Sequence, residues 1–315
     1  KLAQGWNPFL ENEAPKSFNK LIDALNIYLK AKKRELKPQA YRSAESKVNA
    51  LIEWLMKNYK DQDLYIISFN QSMALQFMNY VFNVKKVKPR SFNNYRNALF
   101  SVWNWFIEYQ YCKVNVFQAI KKKKQREKTR IMISKEIRIK IRDHLLKNNE
   151  LEYYAICLLC YHCLIRPNEI CGLKPGYFNL EKNMLVLPPE ITKNSKRRIV
   201  TIPANLKEIL LKLKIDEIDK SYYVFSSRFK PGKLLYDPRK ISKKWQQLRK
   251  SLNIPMEMQF YSLKDTGIVQ MLRDGISPGI VRDQAGHQSL EVTNKYIKIA
   301  HQEAQSQILD KSSEF

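Results

Sequence analysis

The sequence predicts a mainly α-helical protein with a small antiparallel β-sheet, arranged as an N-terminal helical domain followed by a mixed α/β domain. Three observations carry this. Apolar residues recur at helical spacing from Phe18 to Phe106. A dense run of charge, Lys121 to Arg130, then interrupts the pattern. Beyond it, two short β-rich runs joined by a polar turn sit among further helical stretches.

The elements follow in order. Phe18, Leu21, Ile22, Leu25, Tyr28 and Leu29 share one helical face. A second stripe after Pro38 runs Tyr41, Ala44, Val48, Leu51, Ile52, Leu55, Tyr59. Met73, Phe77, Met78, Val81 and Phe82 make a third, and Phe92, Tyr95, Leu99, Val102, Trp103 and Phe106 a fourth, entered through Pro89. These aromatics read as core rather than as base-stacking platforms. Residues 1–120 are therefore expected to form one helical domain and 121–130 a basic linker, since such a run cannot be buried. Residues 131–315 form the second domain. There Ser134 can cap a helix to about Lys147, and a second helix runs from Leu151 to about Ile165. Met184–Leu187 and Arg198–Ile202 are the hairpin strands, with Tyr222–Phe225 as a candidate third. Helices near 238–252, 263–274, 278–285 and 289–298 follow, then a C-terminal tail.

Composition narrows the function classes. At 44% hydrophobic residues, the 315-residue chain is no disordered polymer. Its formal charge of +26 repels itself unless a polyanion absorbs it, which points to nucleic acid, with a generally basic soluble protein as the bland alternative. No apolar run approaches the roughly 20 residues of a membrane span, and no signal peptide is evident. A chain opening on Lys1 reads as a piece of a longer protein. Cys112, Cys157, Cys160, Cys163 and Cys171 suit reduced thiols. The Cys157, Cys160, Cys163 spacing beside His162 raises a metal site, but the segment reads as one buried helix with no second ligand cluster, so no metal is expected.

Four side chains suit attack on a phosphodiester. Its negative charge repels nucleophiles, so displacement needs cations around the transition-state oxygens, a nucleophile and a proton donor for the leaving oxygen. Arg166 sits near the end of an apolar helix and must be paired or hold a ligand, either a phosphate through its planar fork or Glu169 three residues on. Lys193 lies in the hairpin turn Thr192-Lys193-Asn194-Ser195-Lys196, with Lys196 as its rival. His287, one of four histidines, follows Gly286. Tyr296 lies nine residues beyond, three after Thr293; nearby cations would favour its phenolate.

The order and context of these residues resemble the tyrosine recombinases (the phage integrase family) over most of the chain. Arg166, Glu169, Ile170 and Leu173 fit the family's first arginine motif, and Gln284-Ala285-Gly286-His287 resembles its Leu-Gly-His motif with Ala for Leu. The resemblance makes Tyr296 the nucleophile, Lys193 the general acid, and Arg166 and His287 phosphate ligands. One box departs: Tyr261 stands where His is usual and Lys264 where the second Arg is usual in Tyr261-Ser262-Leu263-Lys264, and no His-x-x-Arg occurs elsewhere. Lysine keeps the charge but loses the bidentate fork, and tyrosine is a poor base at neutral pH.

By resemblance, the first domain is a core-binding (SAM-like) DNA-binding domain and the second the catalytic domain. Lys121, Lys122, Lys123, Lys124, Arg126, Lys196 and Arg197 are expected to contact the DNA backbone. The implied reaction joins Tyr296 to a 3′-phosphate, frees a 5′-hydroxyl and proceeds through a Holliday junction without ATP or any cofactor. Double-stranded recombination sites are the implied partner, with a homotetramer in the synapse, a monomer when free, room for an accessory DNA-bending protein, and no membrane. A cytoplasmic place at the bacterial nucleoid and a role in integrating or excising a mobile element, with an arm-binding domain before Lys1, complete the expectation. A type IB topoisomerase-like enzyme and a DNA-binding relative weakened by Tyr261 and Lys264 are the alternatives. Survival of Arg166, Lys193, His287 and Tyr296 together favours activity.

Overall fold

A computed structural model describes residues 13–59, 64–125 and 131–300. The chain divides into two compact units, Lys1–Lys128 and Thr129–Phe315. In the first, α1 (Leu21–Glu35), α2 (Pro38–Asn58), α3 (Gln71–Asn79) with a π-helical turn at Tyr80–Val84, and α4 (Pro89–Glu108) enclose a core of Leu21, Leu25, Leu51, Phe77, Val102 and Phe106. Pro38 and Pro89 occupy first-turn positions, where a missing N–H costs nothing, and Asn70 caps α3 by accepting from the Met73 amide at 3.1 Å. The apolar stripes fill this core except at Ile22 and Ala44, which are half-buried outside it, and at Phe18, which precedes α1 and is 47% exposed.

The segment after α4 is a docked strap. Phe117 packs on Trp103, with ring centroids 4.9 Å apart. Arg96 donates to the Ile120 carbonyl at 3.1 Å, and the Asn93 amide brackets Lys123, donating to its carbonyl at 2.9 Å and accepting from its N–H at 2.8 Å. The Lys123 ammonium lies 4.4 Å from the centre of the Phe82 ring. The described part of the expected linker, 121–125, thus belongs to the first unit and is exposed along its length.

In the second unit α5 (Lys135–Lys147) starts at Ser134, whose hydroxyl accepts from the Ile137 amide at 3.4 Å. The next helix, α6 (Leu151–Tyr161), stops four residues short of Ile165. The chain bends through 162–166, with Leu164 in the left-handed region at φ +54°, and a short helix α7 (Pro167–Cys171) begins. Arg166 therefore caps a new helix instead of interrupting an old one. The break is built by Pro167 at the first helical position and by Glu169, which accepts the Arg166 N–H at 3.1 Å as in a capping box.

Strands β1 (Phe178–Asn179), β2 (Met184–Leu187) and β3 (Arg198–Thr201) form an antiparallel sheet in that order, with Leu185 opposite Val200. Leu185, Leu187 and Val200 point into the core. The connection from β2 to β3, residues 188–197, is a loop of ten residues rather than a tight turn. Tyr222–Phe225 is not the third strand. Tyr223 makes one isolated bridge to Gly232, Val224 donates to the Leu173 carbonyl at 2.8 Å, and Val224 and Phe225 plug the core. The sheet's third member is β1.

Helices α8 (Ala204–Lys212), α9 (Pro238–Ser251), α10 (Ser262–Arg273), α11 (Pro278–Ala285) and α12 (Leu290–Ala300) complete the unit; α8 was not foreseen. The last three enclose a small separate core with Leu164, of which Tyr296 is a member. Gly267 lets α10 lie directly on the end of α6, since a Cβ there would stand 1.9 Å from the Tyr161 carbonyl oxygen.

Candidate active site

The site is organised by Glu169, a carboxylate 1% exposed on α7. One oxygen, Oε1, accepts from Arg166 Nη1 at 2.9 Å and from the Lys193 backbone N–H at 3.3 Å. The other, Oε2, accepts from Arg198 Nη2 at 2.8 Å. Burial raises the Glu169 pKa, but Arg198 and Arg166 outweigh it, so the group sits below the usual carboxylate range. A buried carboxylate bonded by two guanidiniums is fully satisfied, whereas the two cations share one counter-charge.

Of the two uses that the sequence left open for Arg166, the structure shows the pair with Glu169. That pair orients the fork, and Nη2 reaches across to the Gly286 carbonyl at 3.1 Å. Tyr261, at the start of α10, lies beside it: burial raises the phenol's pKa and the Arg166 guanidinium opposes that rise. Lys193, Lys196 and Arg197 are exposed on the 188–197 loop. Thr192 ties that loop, its hydroxyl accepting from the Lys196 amide at 3.1 Å and donating to the Lys196 carbonyl at 2.9 Å. The Lys193 side chain is thereby carried on a backbone anchored to the same carboxylate as Arg166.

His287 is set by the end of α11. Gly286 adopts φ +61°, a left-handed cap that ends the helix. Gln284 fastens the helix to β3, accepting from the Thr201 amide at 3.0 Å and donating to the Thr201 carbonyl at 3.0 Å and the His162 carbonyl at 3.2 Å. His287 Nδ1 lies 2.9 Å from the hydroxyl of buried Thr293, and its ring stacks on Tyr296 with centroids 5.9 Å apart and planes 15° apart. Tyr296 is 4% exposed, and its hydroxyl donates to Asp265 Oδ1 on α10 at 2.6 Å.

Lys264 is placed unlike the other cations. It is 0% exposed, and its ammonium donates to the Ala285 carbonyl at 2.8 Å and to the Leu164 carbonyl. Burial, then Arg166 and Arg198, push its pKa well below that of an ordinary lysine. It braces the two segments that lead to Arg166 and His287.

Arg166, the backbone of Lys193, Tyr261, His287 and Tyr296 thus meet around one locus, with Lys264 beneath it. Lys121, Lys122, Lys123 and Lys124 belong to the first unit, and Arg126 lies outside the described residues. Two members went unseen in the sequence. Arg198 sits on β3 at the same parity as inward-facing Val200, a signal that alternation offered. Asp265 carried no such signal, because α10 is buried nearly all round. No group of three or more His, Cys, Asp or Glu among the described residues is placed to hold a metal. No described helix is long and apolar enough to cross a membrane.

A tyrosine recombinase of Thermosipho africanus is 26% identical over 161 residues, covering 50% of this chain and 53% of that protein. The tyrosine recombinase XerA of Pyrococcus horikoshii is 28% identical over 146 residues, 46% of this chain and 49% of its own. The chain thus spans about half the length of the curated relatives it matches. Among solved structures, a lambda integrase tetramer bound to a Holliday junction superposes with a TM-score of 0.70 at 18% identity, over 96% of this chain and 84% of that one. The Tn1549 transposon integrase with a circular intermediate DNA gives 0.68 at 13% identity, over 87% and 94%. These likenesses show a shared fold. The family model for the phage integrase family matches residues 139–303, more than half of the sequence, and the chain belongs to that family.

Proposed function

We propose that the protein is a tyrosine-type site-specific DNA recombinase, with Tyr296 as nucleophile. The observation that carries this reading is the cluster of Arg166 and Arg198 on the single buried carboxylate Glu169, beside His287 and Tyr296. Two guanidiniums against one carboxylate leave a positive excess that a phosphodiester neutralises. The Tyr296 oxygen bonds to phosphorus as the bond to the 5′-oxygen breaks. The phenol passes its proton to Asp265, to which its hydroxyl is already hydrogen-bonded, and the Lys193 ammonium gives one to the departing 5′-oxygen. The 3′-phosphotyrosyl bond conserves the energy of the broken ester, and a 5′-hydroxyl from a partner duplex reverses the step. Arg166 and His287 bind the phosphate oxygens and Tyr261 bonds alongside Arg166. Lys264 acts from beneath by holding the Leu164 and Ala285 carbonyls.

Double-stranded recombination sites are the partner this reading supplies, with exposed Lys121, Lys122, Lys124, Lys196 and Arg197 on the DNA backbone, and Lys123 held nearer the protein by Phe82. The charge of +26 supports phosphate-dominated, salt-sensitive binding. Strand exchange in a tetramer through a Holliday junction, integration or excision of a mobile element, and work at the nucleoid extend the same proposal by likeness to the integrases above.

A second reading, a DNA-binding relative without cleavage, is favoured by one observation: the Tyr296 oxygen is buried and bonded to Asp265. A nicked duplex that traps the covalent intermediate separates the two. The recombinase reading expects an adduct on a denaturing gel, mapped to Tyr296, lost in Tyr296→Phe while DNA affinity persists. Tight binding with no adduct would establish the second reading, and an adduct surviving in Tyr296→Phe would displace the nucleophile.

A further inference from the structure

The site contains a guanidinium that no motif called for. Arg198 enters from β3 and donates through Nη2 to Glu169 Oε2 at 2.8 Å, while Arg166 holds Oε1 at 2.9 Å. The two arginines therefore flank one carboxylate. Arg166 Nη2 donates to the Gly286 carbonyl at 3.1 Å. The Arg198 guanidinium occupies the space that a side chain at Gly286 would fill, because a Cβ there would stand 1.9 Å from Nη1. Gly286 adjoins His287, so Arg198 reaches from β3 to the locus of Arg166 and His287.

Two features set Arg198 apart from a simple structural partner. First, its Nε–H is buried with no hydrogen-bond acceptor among the described residues. An arginine that existed only to prop Glu169 would be expected to satisfy that donor, since an orphaned buried N–H is costly. Second, the charge does not balance. Arg166 and Arg198 bring two positive charges to one carboxylate, and burial disfavours the charged form of Arg198 more than any other influence on it. Around Glu169 the guanidiniums outnumber the carboxylate two to one.

We propose that Arg198 is a phosphate-binding catalytic residue, the second guanidinium on the scissile phosphate. The inference rests on the recombinase reading. The pentacoordinate transition state carries its charge on two non-bridging oxygens, and two planar forks can each address one of them. Lys264 does not compete for the role, since its ammonium is spent on the Leu164 and Ala285 carbonyls. Gly286 is required because any side chain there would expel the guanidinium.

The test uses the full chain and a nicked duplex bearing its target site, selected from a random-sequence pool. The scissile linkage is either an ordinary phosphodiester or a neutral methylphosphonate. Arg198→Ala and Arg198→Gln, the latter keeping a donor for Glu169, are compared with the unaltered protein in rate of adduct formation, in DNA affinity and in melting temperature. On the phosphodiester both variants should slow adduct formation by about 100- to 1000-fold, with affinity changed less than about threefold. On the methylphosphonate, which lacks the charge that Arg198 neutralises, most of that loss should disappear. A rate unchanged in Arg198→Gln would overturn the proposal. So would an equal loss on both linkages, which is the signature of an arginine that only supports Glu169. An unaltered protein that forms no adduct on either linkage would refute the recombinase reading itself, and the inference with it.

Discussion

Replacing Gly267 with alanine sets two effects of opposite sign against each other. In an exposed helix the change would stabilise α10 by about 1 kcal/mol through backbone entropy. Here the new Cβ would lie 1.9 Å from the Tyr161 carbonyl oxygen, 3.0 Å from its carbon and 3.0 Å from Leu164 Cδ2. The obstruction is main chain at the end of α6 and cannot rotate aside. To restore the 3.0 Å at which real contacts begin, α10 and α6 must part by about 1.1 Å. Overpacking of this kind costs about 1–3 kcal/mol and sometimes more. The shift also strains bonds that tie α10 down at neighbouring residues, including Lys264 donating to the Ala285 carbonyl at 2.8 Å and the Thr266 hydroxyl accepting from the Ile133 amide at 2.9 Å. The net expectation is a loss of about 2 kcal/mol, which for a unit of this size lowers its melting temperature by about 4–8 °C. Differential scanning calorimetry of the full chain reads this directly. A melting temperature equal to or above that of the unaltered protein would show that helix propensity wins, and would refute the close approach of α10 to α6.

Three further outcomes follow from the same geometry. Gly286→Ala forces a left-handed φ of +61° on a residue with a side chain and drives it into Arg198; it should cost about 1–2 kcal/mol and slow adduct formation at least tenfold, and an unchanged rate would contradict the placement of Arg198. Asp265→Asn weakens the charge-assisted bond of 2.6 Å to the Tyr296 hydroxyl, so nitration of Tyr296 by tetranitromethane, mapped by mass spectrometry, should rise several-fold while buried Tyr153 stays unmodified; equal Tyr296 labelling would mean that Asp265 does not hold the phenol. His162, whose Nε2 lies 2.9 Å from the Asn205 amide nitrogen, has a pKa lowered to about 4, by burial first and Arg138 second. Its neutral form is therefore favoured in the folded state, the unfolded chain takes up the proton first, and stability should fall as pH drops from 6.5 towards 4. The loss is about 2 kcal/mol after allowance for partial exposure, and denaturant midpoints of His162→Gln should lack that share of the slope.

Much of this architecture was legible where side-chain period and burial agree. The helical stripes of the first unit expose one face and bury the other, so periodicity finds them, whereas β2 and β3 were legible as short β-rich runs on either side of a polar stretch. Legibility failed where burial is complete. The run from Glu152 through Ile165 is apolar enough to read as one helix, and its bend at Leu164 has no glycine to announce it, although Pro167 and Glu169 did signal a new start. Tyr222–Phe225 has strand composition, yet Val224 and Phe225 fill the core without a ladder, a tertiary outcome that local propensity does not encode. The stripe of Leu206, Ile209 and Leu210 behind Pro203 carries the helical period of α8. At the site, Arg166, Lys193, His287 and Tyr296 were found by motif. Arg198 was hidden in the basic run from Lys196 to Arg198, where charge alone does not say which cation turns inward.

The brace formed by Lys264 has a consequence for how this chain can vary. One ammonium touches Leu164, two residues before Arg166, and Ala285, two residues before His287, although Leu164 lies 100 positions away in the sequence. The reach of that side chain therefore acts as a gauge between two stretches that no local rule connects. A longer or shorter side chain at 264 would demand a matching change in the 162–166 bend or at the end of α11, so these positions are bound to drift together or not at all. A hybrid spliced from two relatives between residues 166 and 264 would inherit a gauge cut for one parent and a gap cut for the other. Reciprocal exchange of the bend and residue 264 as a pair, rather than singly, is the recombination of sequence that this fold tolerates.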